Sequence, residues 1–542
     1  MPKPLARAAV ILLTAHFSVP VFSQALPDAS VLYPDLQQPR LTPPSASPDF
    51  KLEGGKLNAL QPGGAVFELK GLRLSGNTVF SNEVLLAQVQ DVVGKPSDFA
   101  GLQEVANRLS NFYRERGYGF ARVYLPRQDI RDGIVELLVS EGRYGEITAI
   151  VDDHADKRAD SKAQAYLSEL ESGAVIQSEQ LERIALIMND IPGYTAVPVV
   201  RPGAQTGTGD LELRLVKDKD QLQGSASLDN HGSRYTGEYR ARLDLQRSRN
   251  FMFGDSFRFT GLVTDKSTGM LYGAYALPLM PNGLRLELSG LYSAYDLHGT
   301  GLDGFDGDAN IFSALLSYPI IRSQIFNLTL NTGLQHKRYV NEGGLDEEYA
   351  LNALPLSLGF DYRDQLNGGG ITYGAFSYLA AHVVSDNITG ASRDKNFDKL
   401  NLDIARLQRL TDRAHAQVKF SGQHTRDNID ATEFMSLSGL NGVRAYPVGE
   451  FSGHRAWTAQ TEASYQLPQW NTTPYLFYDY GKAVNTTTTL RRELSGYGIG
   501  LKYARAGYLL DVLAAWPDDG LPSQVDPDEH GAQFWFTLSK RF

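Results

Sequence analysis

Two periodicities divide the chain, one repeating at three to four residues and the other at two. The first occupies the stretch before residue 220. Leu102, Val105, Leu109, Phe112 and Tyr113 fall on one face of a 3.6-residue helix, which Gly117-Tyr118-Gly119 ends. Ahead of it, Ser81-Asn82 precedes a shorter stripe of Val84, Leu85, Leu86 and Val89. Phe67, Leu69, Leu72 and Leu74 predict a strand that turns at Ser75-Gly76-Asn77, and two more strands, Ala121–Pro126 and Ile134–Val139, join across Asp132-Gly133. Strand, helix, helix, strand, strand makes a compact α/β unit over residues 66–142. Residues 143–218 repeat that order more loosely. Tyr144–Val151 reads as strand, Ala163–Leu170 as helix, and Leu181, Ile184, Ala185, Ile187 and Met188 as a second stripe stopped by Pro192-Gly193. Val197–Val200 and Leu211–Val216 supply the closing strands.

From Gln221 the helical period disappears. In Tyr239–Leu245 one phase is Tyr, Ala, Leu, Leu and the other Arg, Arg, Asp; Phe326, Leu328 and Leu330 likewise oppose Asn327, Thr329 and Asn331. Strands with one apolar and one polar face build either a soluble sandwich or a membrane barrel. Strands of about ten residues match a tilted crossing. Tight connections (Met280-Pro281-Asn282-Gly283) alternate with long ones (Ser293–Ala309, Lys337–Ala350), the rhythm of short inner turns and long external loops. Phe534, Phe536, Leu538 and Phe542 share a phase at the end of the last strand, which a closed barrel must zip to its first. The expected fold for residues 219–542 is therefore an antiparallel transmembrane β-barrel of roughly sixteen strands.

The segment ahead of these elements is of another kind. Residues 1–25 carry Lys3 and Arg7, then the apolar run Ala8–Ala15, then small residues: a secretory signal peptide cleaved after Ser23 or Ala25. Residues 26–65 hold seven prolines among glycines, so they are expected to form an extended linker or a short plug segment.

Composition then removes alternatives. A chain with 42% hydrophobic and 21% charged residues is not disordered, and its lack of cysteine excludes disulfide scaffolds, zinc–thiolate sites and thiol nucleophiles. A net charge of −10 disfavours nucleic acid as a partner. With a mean hydropathy of only −0.28, nothing in the bulk numbers announces a membrane protein. Metalloprotease, phosphate-loop and nucleophile-elbow motifs are missing, so no enzyme, metal or cofactor is expected. Asp303, Asp306, Asp308 and Asn310 miss the calcium-loop spacing and read as a solvated acidic loop. Gly496-Tyr497-Gly498-Ile499-Gly500 leads into strand, not helix, so it marks a wall where glycines make room for bulky neighbours rather than a nucleotide site.

One constellation remains. Asn441-Gly442-Val443-Arg444-Ala445-Tyr446-Pro447 lies within a Gly- and Ser-rich connection, Glu433–Gly453. If that connection folds back into the bore, Arg444 needs an acid on the inner wall. Phe477-Tyr478-Asp479-Tyr480-Gly481 offers one: Asp479 faces inwards if Tyr478 and Tyr480 face lipid. In a wet lumen the pair is expected to be partly desolvated, so that breaking it costs less than the roughly 3–5 kcal/mol of a buried pair. The residues alone leave open a solvated loop tip and an aspartate facing water.

These motifs resemble the two-partner secretion transporters, the TpsB-type haemolysin and haemagglutinin secretion/activation proteins (ShlB/FhaC/HecB-like) of the polypeptide-transporting β-barrel superfamily. Val443-Arg444-Ala445-Tyr446 is similar to that family's in-folded loop tip, with alanine where glycine is usual, and Phe477, Asp479 and Gly481 match its barrel-wall motif. Gly117-Tyr118, Leu125–Asp129 and Asp132-Gly133 resemble its first POTRA domain, and Asp229-Asn230-His231-Gly232 its first barrel strand. The resemblance implies two periplasmic POTRA domains before a sixteen-stranded, monomeric barrel in a Gram-negative outer membrane, in contact with lipid and lipopolysaccharide. It implies a partner too: a β-rich, TpsA-type exoprotein, captured unfolded and passed through the pore, with Arg444 and Asp479 anchoring the loop. An outer-membrane protein assembly factor is the alternative within the superfamily and a passive porin the alternative outside it.

Overall fold

The computed structural model describes residues 63, 65–151, 157–218, 221–266, 268–298, 304–343, 347–386, 394–485, 490–518, 523 and 531–542. The signal peptide, nearly all of the Pro/Gly segment and Asp303 lie outside the described residues.

The first unit runs β1 (Phe67–Glu68), β2 (Gly71–Ser75), α1 (Asn82–Ala87), β3 (Pro96–Ser97), α2 (Phe99–Glu115), β4 (Arg122–Tyr124) and β5 (Ile134–Ser140). β5 lies between a parallel β2 and an antiparallel β4. The helical stripe is the reason: Leu102, Val105, Leu109, Phe112 and Tyr113 are all buried, while the Asp98 side chain caps α2 by accepting from Gly101 N at 2.9 Å. Gly117, at φ +87°, ends it. The second unit runs β6 (Arg143–Val151), α3 (Lys157–Ala165), α4 (Ser178–Asn189), β7 (Tyr194–Pro202) and β8 (Thr208–Lys217). β8 is again central between a parallel and an antiparallel neighbour. Here the expected helix Ala163–Leu170 is displaced: α3 stops at Ala165, and Leu167 and Leu170 are buried on i→i+3 turns instead.

Glu141 joins the two units. It is 4% exposed and accepts from Thr78 N (2.6 Å), Val79 N (2.7 Å), Tyr113 Oη (3.0 Å) and the Thr78 hydroxyl. Arg143, the first residue of β6, donates to Glu141 at 3.3 Å, to Thr78 Oγ1 at 2.6 Å and to Gly173 O at 2.9 Å, so it touches both units. Burial alone pushes the Glu141 carboxyl up, but these donors outweigh it and hold the group below the usual carboxylate range.

Sixteen strands then close a barrel, each antiparallel to its neighbours. They are β9 (Leu222–Asp229), β10 (Arg240–Ser248), β11 (Ser256–Thr264), β12 (Gly269–Pro278), β13 (Arg285–Asp296), β14 (Asp306–Arg322), β15 (Phe326–Glu342), β16 (Glu347–Asp364), β17 (Gly370–Asp386), β18 (Asn396–Arg409) and β19 (Ala414–His424), followed, after a short internal pair β20 (Met435–Ser436) and β21 (Ser452–Gly453), by β22 (Arg455–Tyr465), β23 (Thr472–Asn485), β24 (Leu490–Arg505), β25 (Tyr508–Pro517) and β26 (Gln533–Arg541). β26 pairs with β9 from Thr537↔Asp229 to Arg541↔Ser225, and Phe542 and Gly224 exchange two further backbone bonds. The Asn230 side chain extends this seam by donating to Phe534 O and accepting from Phe536 N, both at 2.8 Å. The apolar phase points outwards, as Leu288, Tyr292, Leu334, Leu476 and Phe534 show by their exposure.

Several strands exceed the expected length, β14 to β17 reaching 17 or 18 residues. They absorb much of the connections expected at Ser293–Ala309 and Lys337–Ala350. The cause is inside the barrel: Tyr295, Ala309, Ile311, Tyr339, Tyr349 and Leu351 pack as an apolar cluster, so these extensions have a core of their own. At the opposite end the second unit is fastened to the barrel turns. Arg322 grips Asp190 at 2.7 and 2.8 Å, Arg183 donates to Pro319 O at 2.8 Å, and the Phe253 ring lies 5.2 Å from that of Tyr194.

Candidate functional site

The chain between His424 and Arg455 leaves the wall and folds back into the bore, a longer excursion than the expected Glu433–Gly453. Its local sequence makes it compact. Gly439 takes φ +88°, and a Cβ at Gly442 would stand 2.3 Å from Leu437 O, so both turns require glycine. Val443 N bonds Leu437 O at 2.9 Å, and β20 pairs with β21 to close the hairpin. Met435, Leu437, Val443, Ala445 and Tyr446 then pack on Phe477, Leu494, Leu513 and Trp535 of the wall.

Arg444 is the one charge at this apolar tip. Its Nε and Nη2 donate to the two oxygens of Asp479 at 2.8 and 2.7 Å, its backbone N donates to Asp479 Oδ2 at 3.0 Å, and Nη1 reaches Glu462 at 3.3 Å. Below the guanidinium lies Phe477, its ring centroid 3.6 Å away. The carbonyl of Arg444 accepts from Trp535 Nε1 at 2.8 Å. Asp479 is 1% exposed and Arg444 7%, which corrects the expectation of a partly hydrated pair: the loop's own apolar residues exclude water from it. A fork-on-carboxylate contact of this kind combines charge with fixed geometry. From Glu462 the wall continues to Lys502 (2.8 Å), whose ammonium lies 4.3 Å from the Tyr475 ring, while Tyr475 Oη donates to Asp511 at 2.8 Å.

The wall is cut to fit. On β24 a Cβ at Gly496, Gly498 or Gly500 would meet Ala445, Phe477 or Tyr475 at 2.3, 2.3 and 2.2 Å, so the glycine alternation makes room for the loop tip and for the aromatics beneath it. Gly481 does the same for Leu437, at 2.6 Å. Ala445 is not in the left-handed region, so alanine sits there without strain, its methyl lying over Gly496. Val443, Arg444, Ala445 and Tyr446 are thus brought against Phe477 and Asp479, whereas Gly481 faces Leu437 of the same loop instead of the tip itself. Sequence reasoning missed Glu462 and Trp535. Trp535 had a signal, an aromatic out of phase with Phe534 and Phe536; Glu462 had only its polar phase in β22.

Comparison with known proteins places this arrangement. Residues 207–503 match the family model described as haemolysin secretion/activation protein ShlB/FhaC/HecB, and residues 67–142 match the ShlB-type POTRA domain. The chain belongs to that haemolysin secretion/activation family. The heme/hemopexin transporter protein HuxB of Haemophilus influenzae is 27% identical, with 100% of this chain and 99% of HuxB covered. The haemolysin transporter ShlB of Serratia marcescens is 24% identical over 93% of this chain and 90% of its own. Among solved structures, CdiB from Escherichia coli superposes with a TM-score of 0.70 at 18% identity, covering 93% of each chain, a likeness of fold. Membership places the chain in the two-partner secretion transporter family of the Gram-negative outer membrane, with its POTRA region on the periplasmic side.

Proposed function

We propose that the chain captures an unfolded, β-rich exoprotein in the periplasm through its α/β units and passes it through the barrel to the cell surface, the loop tip held by Arg444 leaving the bore to admit it. The observation that carries this reading is the burial of Arg444 between Asp479, Glu462 and Phe477 inside the bore. A charge placed there serves position more than stability, because desolvation offsets most of its attraction. Capture rests on the sheets of the two units, each three-stranded, whose outer strands can add an extended strand by backbone hydrogen bonds, save at the start of β6, where residues 173–176 already bond to Gly142 and Tyr144. No nucleotide motif occurs in the sequence, so folding of the emerged chain outside supplies the direction of travel.

The test is Arg444→Ala, followed by export of the partner exoprotein and by channel conductance of the purified barrel. Export is expected to fall while heat-modifiable gel mobility, the sign of a closed barrel, is retained. Full export together with an unaltered conductance would refute a role for the tip.

A further inference from the structure

We infer that Lys337, Glu433 and Lys399 form a second, charge-built latch that holds the descending limb of the in-folded loop near the extracellular rim, independently of Arg444. The inference rests on the reading above, that the loop moves. Glu433 ends the 3-10 turn Ala431–Glu433, which Asp430 caps by accepting from Thr432 N at 2.9 Å. Its carboxylate lies 2.8 Å from Lys337 Nζ on β15 and 2.9 Å from Lys399 Nζ on β18. All three side chains are nearly inaccessible, at 0%, 3% and 7% exposure. The Glu433 carbonyl accepts from Lys399 Nζ at 3.1 Å and from Gln423 Nε2 at 2.9 Å. Two ammonium groups from separate strands therefore converge on one residue of the loop. Arg444 engages β22 and β23, so the two attachments use different parts of the wall.

The chemistry suits a contact that must hold and then let go. Three charges taken out of water lose hydration, so a dry latch of this kind adds modest net stability yet accepts one loop position only. Once the limb lifts and water enters, each ion is hydrated again, and the open state is not penalised. The count of charges gives the latch a signature that simple packing lacks. Removing one lysine leaves a one-to-one pair. Removing Glu433 leaves two ammonium groups facing each other, and removing both lysines leaves a lone buried carboxylate.

The full chain is purified in detergent, inserted into planar bilayers, and its potassium chloride conductance recorded, with heat-modifiable mobility as the control for folding. Glu433→Gln is expected to raise the open fraction roughly tenfold, about 1.4 kcal/mol in the closed–open equilibrium. Lys399→Met alone is expected to raise it far less, and adding Lys399→Met to Glu433→Gln to bring the channel back towards wild type. Should Glu433→Gln fail to fold, the Lys337→Met/Lys399→Met pair carries the test with the same expected opening. A folded Glu433→Gln that conducts like wild type overturns the latch, as does single-lysine opening equal to that of Glu433→Gln. So does a Lys337→Met/Lys399→Met channel that stays closed. Arg444→Ala in parallel separates the two ideas: if it opens the channel and the Glu433 variant does not, the latch alone is wrong. If neither changes conductance, the mobile-loop reading is wrong as well.

Discussion

Replacing Glu141 by glutamine should uncouple the two periplasmic units. The carboxylate receives donors from Thr78, Val79 and Tyr113 of its own unit and from Arg143 of the next. An amide keeps one acceptor oxygen, so at least two of these bonds are lost or reversed, and its NH2 is turned either towards the Thr78 and Val79 N–H groups or towards the Arg143 guanidinium, none of which can accept from it. Hydrogen bonds to a charged group contribute about 1.5–3 kcal/mol each, and breaking one member of a buried network costs about 3–5 kcal/mol in total. Against the 5–15 kcal/mol that a domain commonly holds, that is a large fraction. The pH dependence has a fixed sign. The folded carboxyl is held below its unfolded value of about 4.3, so its contribution is fully present above that value and is lost as pH falls through the folded pKa. Amide hydrogen exchange of the whole protein in micelles reads this segment by segment. Glu141→Gln should speed exchange in residues 67–142 about a hundredfold or more at pH 7, and the gap from wild type should narrow as pH drops below 4, with barrel exchange unchanged. Equal protection of residues 67–142 in the two proteins at pH 7 would refute the argument.

Two further outcomes follow from contacts elsewhere. Gly498→Leu forces a side chain against Phe477 Cζ, where even a Cβ would stand 2.3 Å away, and against the backbone of Ala514. Overpacking of about 1–3 kcal/mol should lower the thermal midpoint of the barrel and, by displacing the ring under Arg444, move conductance in the direction of Arg444→Ala; a channel identical to wild type counts against the fitted wall. Asp190→Ala removes the Arg322 contact between the second unit and the barrel. Asp190 is 47% exposed, so the loss should be below about 1 kcal/mol, shrink further in high salt, and appear as faster motion between spin labels on the unit and the barrel with no change in barrel melting.

Much of the barrel was legible because a membrane wall obliges every second residue to be apolar. The outward row Leu334, Leu354, Leu476 and Phe534 needs no partner to be recognised. The helical stripe around Leu109 was equally plain. Arg444 and Asp479 could be paired from sequence because each is out of place locally: an arginine in a Gly-rich loop, an aspartate between two tyrosines. The long extensions of β14 to β17 were not legible. Tyr295, Tyr339 and Tyr349 face inwards there, and an apolar inner face beside an outer polar one inverts the rule that marks a crossing strand. Lys337 and Lys399 were hidden for a related reason. A lysine in the inward phase normally reads as a wetted lumen residue, and only the loop's path reveals that Glu433 covers it.

The in-folded loop sets a requirement on whatever displaces it. Arg444 and Glu433 hold the loop at two places, and Glu450 adds a third contact by accepting from Arg492 at 3.0 Å. These fastenings engage β15, β18, β22, β23 and β24, and none lies in the α/β units where capture is proposed. A cargo strand added to a periplasmic sheet therefore opens the barrel only if it binds the loop-out state more tightly than the loop-in state. Moving such an equilibrium from 1:99 to 99:1 takes about 5.5 kcal/mol of differential affinity. The second unit is the element placed to transmit it, since α4 and its flanks grip the turns before β11, β13 and β15 through Phe253, Ile187 and Arg322. Loosening that grip with Asp190→Ala should consequently weaken opening by cargo while leaving the spontaneous openings of Glu433→Gln untouched. Equal loss of both would place the coupling inside the barrel rather than at its periplasmic turns.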